Sequence, residues 1–365
     1  MIDRRHLLFA AGAAVAGLAV AGWSGFRRVG SMTDYAADLA PLRVALPANP
    51  ASRDLIRFAT LAANSHNTQA WQFRAGGGRI DILPDLSRRT PAVDPDAHHL
   101  FASLGCAVEN LSIAAAARGV PGDVAFNAGN GGAVRFDYAA GAIRDAALCD
   151  AIPLRQSTRA DYDGSQVSAA DLAILASAAT MPGVDLSLIT DRAQINLVRD
   201  LIIAGNTAQI ADPAFVAELK SWLRFNPREA FATGDGLFSA TSGNPSLPDW
   251  LGPMMFGWAF TAKAENEKIA RQIASSAGLA VFVAAKADPA GWVQAGRACQ
   301  RFALQATAMG LKHAFLNQPV EVAALRPDLA ALLGMPGRRP DLVMRFGRGE
   351  AMAFSARRPV DAVIL

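Results

Sequence analysis

The stretch from Gly105-Cys106-Ala107 to Ala115-Ala116-Ala117-Arg118-Gly119 returns at the same spacing from Gly296-Arg297-Ala298 to Ala306-Thr307-Ala308-Met309-Gly310. Both copies carry small apolar residues over several helical turns and end at a glycine, which is typical of buried helices with a left-handed cap. Glycine caps are common, so the identities at matched spacing carry the comparison. The repeat predicts two copies of one unit fused in a single chain. Chance similarity between two alanine-rich helices is the alternative.

Strand-like segments surround the first of these helices, which the pattern predicts from about Asp96 to Gly119. Trp71 to Phe73 and Ile80 to Leu83 flank a triple-glycine turn, and a later strand is predicted from Ala133 to Tyr138. We therefore predict an α+β fold with a first unit over residues 30–150 and a second over residues 151–365. In each unit an antiparallel or mixed sheet would pack on a long central helix, and the two units would form an intramolecular pseudo-dimer.

The composition indicates a globular protein that buries much of its chain, because 52% of the 365 residues are apolar and only 18% are charged. The 35 Lys and Arg residues are nearly balanced by 32 Asp and Glu, so we expect no nucleic-acid partner. The three cysteines are scattered and odd in number. They indicate neither a disulfide framework nor a metal site.

Residues 1–29 have the pattern of a twin-arginine export signal. Arg4-Arg5 precedes an uncharged apolar run from Leu7 to Trp23, and Ala19-Val20-Ala21 offers a small-residue cleavage site. We therefore expect the export machinery as a partner and the periplasm as the location. An uncleaved membrane anchor is the alternative, and no later window has the length of a membrane span.

Two polar runs are candidates for ligand binding. The run from Asn64 to Phe73, Asn-Ser-His-Asn-Thr-Gln-Ala-Trp-Gln-Phe, places amides and hydroxyls between a predicted helix and a strand, where they can contact a polar heterocycle. Capping and turn hydrogen bonds are the alternative for this run. Arg155-Gln156-Ser157-Thr158-Arg159 places two guanidinium groups four residues apart, which suits a phosphate, although a solvated surface loop would give the same pattern.

In combination these runs resemble the nitroreductase superfamily of flavin enzymes. The family's Ser-x-Asn-x-Gln-Pro-Trp run corresponds to residues 65–71, with Ala70 in place of the proline, and its Arg-x-Ser-x-Arg run corresponds to residues 155–159. The order of the two runs, together with Asn317-Gln318-Pro319, resembles the Acg-type branch. In that branch two nitroreductase-like halves are fused and a single FMN site lies between them. Ala63 also replaces a proline of the family pattern, which loosens the loop that would hold the flavin ring.

The resemblance implies FMN as cofactor and assigns its contacts to both halves. Arg155, Ser157, Arg159 and one or both of Arg357 and Arg358 would hold the phosphate, which suits a dianion. Neutral side chains would face the ribityl chain and the ring, and these are Ser65, Asn67 and Gln69, with Asn317 and Gln318 nearby. No catalytic residue is assigned, because the flavin itself carries the chemistry in this family.

The segment 212–260 is rich in glycine, proline and aromatic residues, and long apolar loops of this kind are typical of lids. In the resembled branch this region covers the flavin, and an arm that only packs the two halves together is the alternative. His98-His99 with Asp94 and Asp96 suggests a metal at first sight. Adjacent imidazoles point apart on a helix, however, so we expect a solvated helix start and no metal.

The leading hypothesis is therefore an exported FMN-dependent oxidoreductase that acts on a small planar acceptor. A flavin-sequestering or flavin-carrying protein, with a lid that blocks catalysis and no substrate, is the alternative from another class. A degenerate repeat protein without flavin is the third possibility.

Overall fold

A computed structural model describes residues 29–365 of the chain. The predicted export signal at residues 1–29, with Arg4-Arg5 and its apolar run, therefore lies outside the described residues except for Val29.

The first half forms a four-stranded sheet. Its strands are β1 Trp71–Gly76, β2 Arg79–Pro84, β3 Gly122–Asn127 and β4 Ala133–Tyr138. They lie in the order β1-β2-β4-β3, and each neighbouring pair is antiparallel. Residues in the first part of β2 and β4 alternate between buried and more exposed positions, as in a sheet with one face on the core.

The second half contains another four-stranded antiparallel sheet and a small two-stranded one. Its strands are β5 Val184–Ile189, β6 Leu223–Arg224, β7 Leu237–Phe238, β8 Gly278–Ala284, β9 Lys312–Phe315 and β10 Leu342–Gly347. The larger sheet has the order β5-β8-β10-β9, which matches the order of the first sheet strand for strand. The predicted α+β fold with antiparallel sheets is thus confirmed.

Thirteen α-helices connect and cover the strands in the described part of the chain. They are α1 Met32–Leu39, α2 Ser52–Thr60, α3 His98–Ala116, α4 Ala146–Ala151, α5 Ala169–Ala178, α6 Arg192–Ala211, α7 Pro213–Ser221, α8 Pro227–Thr233, α9 Gly252–Ala259, α10 Ala262–Ala274, α11 Pro289–Ala308, α12 Gln318–Glu321 and α13 Arg326–Leu332. The long helices α3 and α11 each connect the second strand of a sheet to the third, so they occupy equivalent places in the two halves.

Helices α3 and α11 cross at their repeated glycines. A Cβ atom added at Gly105 would lie 2.1 Å from the carbonyl oxygen of Val293, and one at Gly296 would lie 2.0 Å from that of Ala102. Only glycine permits this approach of the two backbones. Helix α3 is long and apolar enough to cross a membrane by length and composition, but 94% of that window is buried inside the protein. Its apolar character is therefore that of a core helix.

Two segments of the second half, one at each of its ends, bring the candidate residues together. The backbone N–H of Thr158 donates to the carbonyl of His313 on β9 at 2.8 Å, which ties residues 155–159 to the second sheet. The carboxyl-terminal segment returns to the first sheet, where Phe73 on β1 donates to Val363 at 2.7 Å and Leu365 donates back to Phe73 at 2.8 Å. Residues from both ends of the second half therefore flank the loop at residues 64–69.

Candidate functional site

A cavity of about 290 Å³ and a narrower cleft of about 40 Å³ lie side by side at the junction of the halves. Ala63, Asn64, Arg159 and Leu237 line both spaces, so the two are adjacent. Arg159 lies where the two spaces meet, while Arg155 and Ser157 line the cleft but not the cavity. An elongated ligand with one charged end fits this shape.

The charges that line the cleft favour an anionic ligand. Four arginines line it, namely Arg43, Arg155, Arg159 and Arg357, and none of the described lining residues is acidic. Burial, reinforced by the charge of Arg155, lowers the pKa of Arg43 to about 9. Burial likewise lowers the pKa of Arg155 to about 10. Guanidinium groups crowded in this way repel one another until an anion binds between them.

The guanidinium group of Arg155 has hydrogen-bond donors that no other group uses in the described part of the chain. Its Nη2 donates to the carbonyl of Leu61 at 3.1 Å, whereas its buried Nε and Nη1 have no partner among residues 29–365. Unpaired donors of a buried charge are costly, and a phosphate would satisfy them with two parallel bonds. Burial, followed by repulsion from Arg345, also lowers the pKa of Arg159.

The two carboxyl-terminal arginines differ in position. Arg357 lines the cleft, but its Nε donates to the carbonyl of Thr60 at 2.6 Å and its Nη1 to Asn67 Oδ1 at 2.8 Å. Part of the Arg357 guanidinium group therefore holds the neighbouring loop in place. Arg358 lines neither space, and its Nη2 donates to the carbonyl of Ala362 at 2.9 Å. The structure thus brings Arg357 and not Arg358 to the cleft.

The loop at residues 64–69 is strained and strongly held. His66, Asn67 and Gln69 all have positive φ angles, of 47°, 53° and 52°. Such a conformation costs about 1–3 kcal/mol for each non-glycine residue and persists only where surrounding contacts impose it. Asn67 Nδ2 supplies such contacts by donating to the carbonyls of Gly236 at 3.0 Å and Ala356 at 3.1 Å.

Other residues of the polar runs divide between lining and support. Gln69 is fully buried and lines neither space, because its Nε2 donates to the carbonyl of Gly234 at 2.8 Å. Ser65, Asn317 and Gln318 line the cavity. Asn317 Oδ1 accepts from the backbone N–H of Val343 at 2.8 Å, which fixes the orientation of this side chain. Ser65 and Gln318 thus remain free to contact a ligand through their side chains.

The structure adds residues that the sequence did not assign as flavin contacts. Arg43 comes from the segment before α2, and Asn64 lines both spaces. His66, His99 and Glu321 line the cavity, and His99 Nε2 lies 3.4 Å from Glu321 Oε1.

The predicted solvated helix start is wrong. His98 and His99 are 1% and 4% exposed because α3 begins inside the core, where Asp94 accepts from the backbone of His99 at 3.0 Å.

The aromatic segment at residues 212–260 contributes apolar walls to the cavity. Phe215, Leu219, Leu237 and Phe260 line it from this side. This placement agrees with a lid, and the role itself remains a prediction. Over the described residues no three His, Cys, Asp or Glu side chains are grouped so that they could hold a metal ion.

Comparisons with known proteins agree with the sequence motifs. Two relatives are named "Putative NAD(P)H nitroreductase MT3217" and "Putative NAD(P)H nitroreductase Rv3131", from Mycobacterium tuberculosis strains CDC 1551 / Oshkosh and ATCC 25618 / H37Rv. Each is 25% identical over 308 residues, which is 81% of this chain and 84% of the relative. No family model matches the chain. The relatives support the resemblance to the nitroreductase superfamily.

Solved structures of nitroreductases match about half to three fifths of the chain. An FMN-bound nitroreductase from Desulfitobacterium hafniense DCB-2 matches 59% of this chain and 95% of its own, with a TM-score of 0.37 and 14% identity. The FMN-dependent nitroreductase NfnB from Mycobacterium smegmatis, in complex with NADPH, matches 56% and 88%, with a TM-score of 0.37 and 12% identity.

Proposed function

We propose that the chain is an FMN-dependent oxidoreductase of the nitroreductase type, in the fused Acg-type arrangement, with one FMN between its halves. The observation that carries this proposal is the cleft of four arginines without an acidic partner among the described lining residues, which adjoins a larger cavity with amide and apolar walls. A phosphate at one end and a planar heterocycle at the other match these two spaces.

The residues present fit FMN. Arg155, Arg159 and Ser157 would hold the phosphate end, with Arg43 as a further cation and Arg357 fixing the wall of the cleft. Ser65 and Gln318 would face the ring, while Asn67 and Gln69 keep the strained loop in place. When bound, FMN supplies reversible two-electron chemistry, and the protein supplies orientation, charge and exclusion of water.

A purified sample tests the function directly. We expect the full-length protein to carry FMN, to be bleached anaerobically by NADH or NADPH, and to be reoxidised by 1,4-naphthoquinone or nitrobenzene. Arg155→Gln should lose the flavin and the activity together, whereas Arg358→Gln should retain both, because Arg358 lies outside the cleft. A flavin-loaded protein that no nicotinamide reduces would overturn the enzymatic proposal.

A flavin-carrying protein is the second candidate, and one observation favours it. Phe215, Leu219, Leu237 and Phe260 wall the cavity from the lid-like segment, where they can block the approach of a substrate. Leu219→Ala with Phe260→Ala would open this wall. Turnover that rises in the double variant, from no measurable rate in the parent, would favour the carrier over the enzyme.

The proposal includes twin-arginine export to the periplasm. Its support is the sequence pattern of Arg4-Arg5 and the apolar run behind it. Replacement of both arginines by lysine should leave a folded, flavin-loaded protein in the cytoplasm, because lysine does not replace the paired guanidinium groups in receptor reading. An unchanged periplasmic yield in cell fractionation would contradict export by this route.

A further inference from the structure

An exposed apolar surface covers α9 and the turn before it. The run from Trp250 to Phe260 contains no charged residue. Three large side chains of this run, those of Trp250, Met254 and Trp258, are 60%, 60% and 78% exposed. The core residue Trp71, by contrast, is 0% exposed. Exposed apolar side chains grouped in this way usually mark a contact surface.

The three exposed side chains follow one another at intervals of four residues. Met254 and Trp258 are one turn apart on α9, and Trp250 lies in the turn that leads directly into the helix. Side chains four residues apart lie on the same face of a helix. Another side of α9 turns inward, because the rings of Phe256 and Phe260 stack at 4.5 Å and Phe260 lines the cavity. We call Trp250, Met254 and Trp258 the tryptophan face.

The length and composition of the run favour the interface between lipid and water. A membrane-spanning helix needs about 20 apolar residues, so the run from Trp250 to Phe260 is too short to cross a bilayer. It is not a core helix either, because Trp250 and Trp258 are exposed. Tryptophan is enriched at the level of the lipid headgroups, where its ring contacts apolar chains and its N–H stays in a polar layer. The tryptophan face therefore has the chemistry of an interfacial surface.

The amino-terminal end of the described chain lies on the same side of the protein. The backbone N–H of Arg228 on α8 donates to the carbonyl of Val29 at 3.1 Å. Helices α8 and α9 begin next to each other, because Gly252 at the start of α9 packs so closely on the ring of Phe225 that an added Cβ would lie 2.2 Å from it. The uncharged run of residues 7–23 ends six residues before Val29, a distance of at most about 20 Å along the chain.

We propose that the tryptophan face docks on the surface of a lipid bilayer, with Trp250 and Trp258 at the depth of the headgroups and Met254 between them. The apolar run at residues 7–23 favours a lipid surface over a second copy of the chain, because it brings this side of the protein to a bilayer whenever it inserts. This contact does not depend on FMN and therefore goes beyond the proposed function.

A fluorescent label in place of Met254 reports the contact in the full-length protein. The three native cysteines are buried, so a bimane maleimide should react selectively with the cysteine of Met254→Cys. We add vesicles of equal parts phosphatidylcholine and phosphatidylglycerol. The bimane emission should shift to shorter wavelength and should be quenched by doxyl-labelled lipid, because the label enters an apolar layer. This readout stays local to α9 even if residues 7–23 also insert.

Ile143→Cys is the matched control for the label. Ile143 is 70% exposed and lies beside Gly119, which follows the end of α3 that is farther from the cavity. The same bimane label at this position should show neither the shift nor the quenching. Both labelled proteins are first checked for the melting temperature of the parent.

Removal of the tryptophans tests what drives the contact. Trp250→Ser with Trp258→Ser, introduced into Met254→Cys, should abolish both the shift and the quenching, because the apolar area that enters the lipid is lost. Ile143→Ser with Ile174→Ser, introduced into the same labelled protein, should preserve both signals. These two isoleucines are also exposed, but neither lies on the tryptophan face.

Parental emission of the Met254→Cys label in the presence of vesicles would overturn the proposal. Equal shifts at positions 254 and 143 would overturn it as well, since the contact would then not be specific to α9. A shift that appears without lipid, grows with protein concentration and coincides with a dimer in analytical ultracentrifugation would assign the tryptophan face to a second copy of the chain. That result would equally overturn the lipid contact.

Discussion

Four guanidinium groups meet in one cleft, and their mutual repulsion is relieved only when an anion binds. Arg155 and Arg159 reach it because the segment that carries them is hydrogen-bonded along β9, and buried Arg345 fixes the same segment by donating to the carbonyl of Thr158 at 3.1 Å. At the residue scale, anion binding is thus built on a scaffold in the second half.

Replacement of Arg159 by alanine measures how much one of these charges contributes to FMN affinity. Charge-assisted hydrogen bonds are each worth about 1.5–3 kcal/mol, so Arg159→Ala should weaken FMN binding by roughly 10- to 100-fold. Fluorescence titration of the apoprotein with FMN gives the affinity. Arg358→Ala is the matched control, because Arg358 lies outside the cleft, and it should bind as the parent does. Equal affinities for the two variants would refute the assignment of Arg159.

Asn67 supports the site more than it lines it. Asn67→Ala removes the donors to Gly236 and Ala356 and one acceptor of Arg357 Nη1, which keeps its bond to the carbonyl of Ala356 at 2.9 Å. We expect the free energy of unfolding to fall by about 2–4 kcal/mol, since buried partners are left unpaired. Its cost in FMN affinity should be about tenfold or less. Asn196→Ala, which removes an exposed hydrogen bond to Arg199, should stay within about 0.5 kcal/mol of the parent in urea unfolding. Equal stability of the two variants would contradict the supporting role.

The sequence grouped Arg155, Ser157 and Arg159 in one short run, and the structure places all three along one cleft, while their contact with FMN stays a prediction. Residues 155–159 keep their spacing in space because they form one extended segment. The sequence alone could not indicate Arg43 or Glu321, because tertiary packing brings these residues to the site from positions far from the motifs. Gln69 was expected to face the flavin, but the strained turn before it directs its side chain inward to Gly234.

At the scale of elements, the crossing of α3 and α11 holds the halves together. Glu109 on α3 binds Arg297 at 2.7 Å and Arg301 at 2.9 Å on α11, and the two glycines allow the backbones to touch. The repeat and the apolar periodicity were sufficient to predict both helices. The short helices α7, α8 and α9 were not predicted, because their length is too small for a periodic signal.

The glycine crossing gives a prediction with a matched control. Gly105→Ala places a methyl group against the carbonyl of Val293, so the helices must separate, and we expect a loss of at least about 3 kcal/mol in the free energy of unfolding. Gly257→Ala on α9 meets no atom within 4 Å and should be neutral or stabilising by up to about 1 kcal/mol. Thermal and urea unfolding measure both variants. A Gly105→Ala protein as stable as the Gly257→Ala protein would show that the close crossing is not required.

At the scale of the whole molecule, two sheets with the same strand order share one site. The carboxyl-terminal segment lies on the first sheet although it belongs in sequence to the second half. The sequence could not predict that the carboxyl-terminal segment pairs with the first sheet, because this pairing depends on which sheet edge is free. The equivalent strands and long helices could be predicted, since the repeat preserves them.

The pairing of the carboxyl-terminal segment with the first sheet predicts that residues 30–150 do not fold alone. Such a fragment would expose the face of α3 that α11 covers and would leave Phe73 on β1 without its bonds to Val363 and Leu365. We expect aggregation, or a circular dichroism spectrum without a cooperative thermal transition. A soluble, monomeric fragment with a sharp transition would mean that the halves are independent domains.

The cofactor content of the full-length protein tests the central claim most directly. The protein, purified under native conditions and supplied with FMN, is denatured, and the released flavin is quantified against the protein. The account predicts one FMN per chain, since the junction with Arg155 and Arg159 combines one cleft with one cavity. Absence of flavin absorbance together with no uptake of added FMN would contradict it.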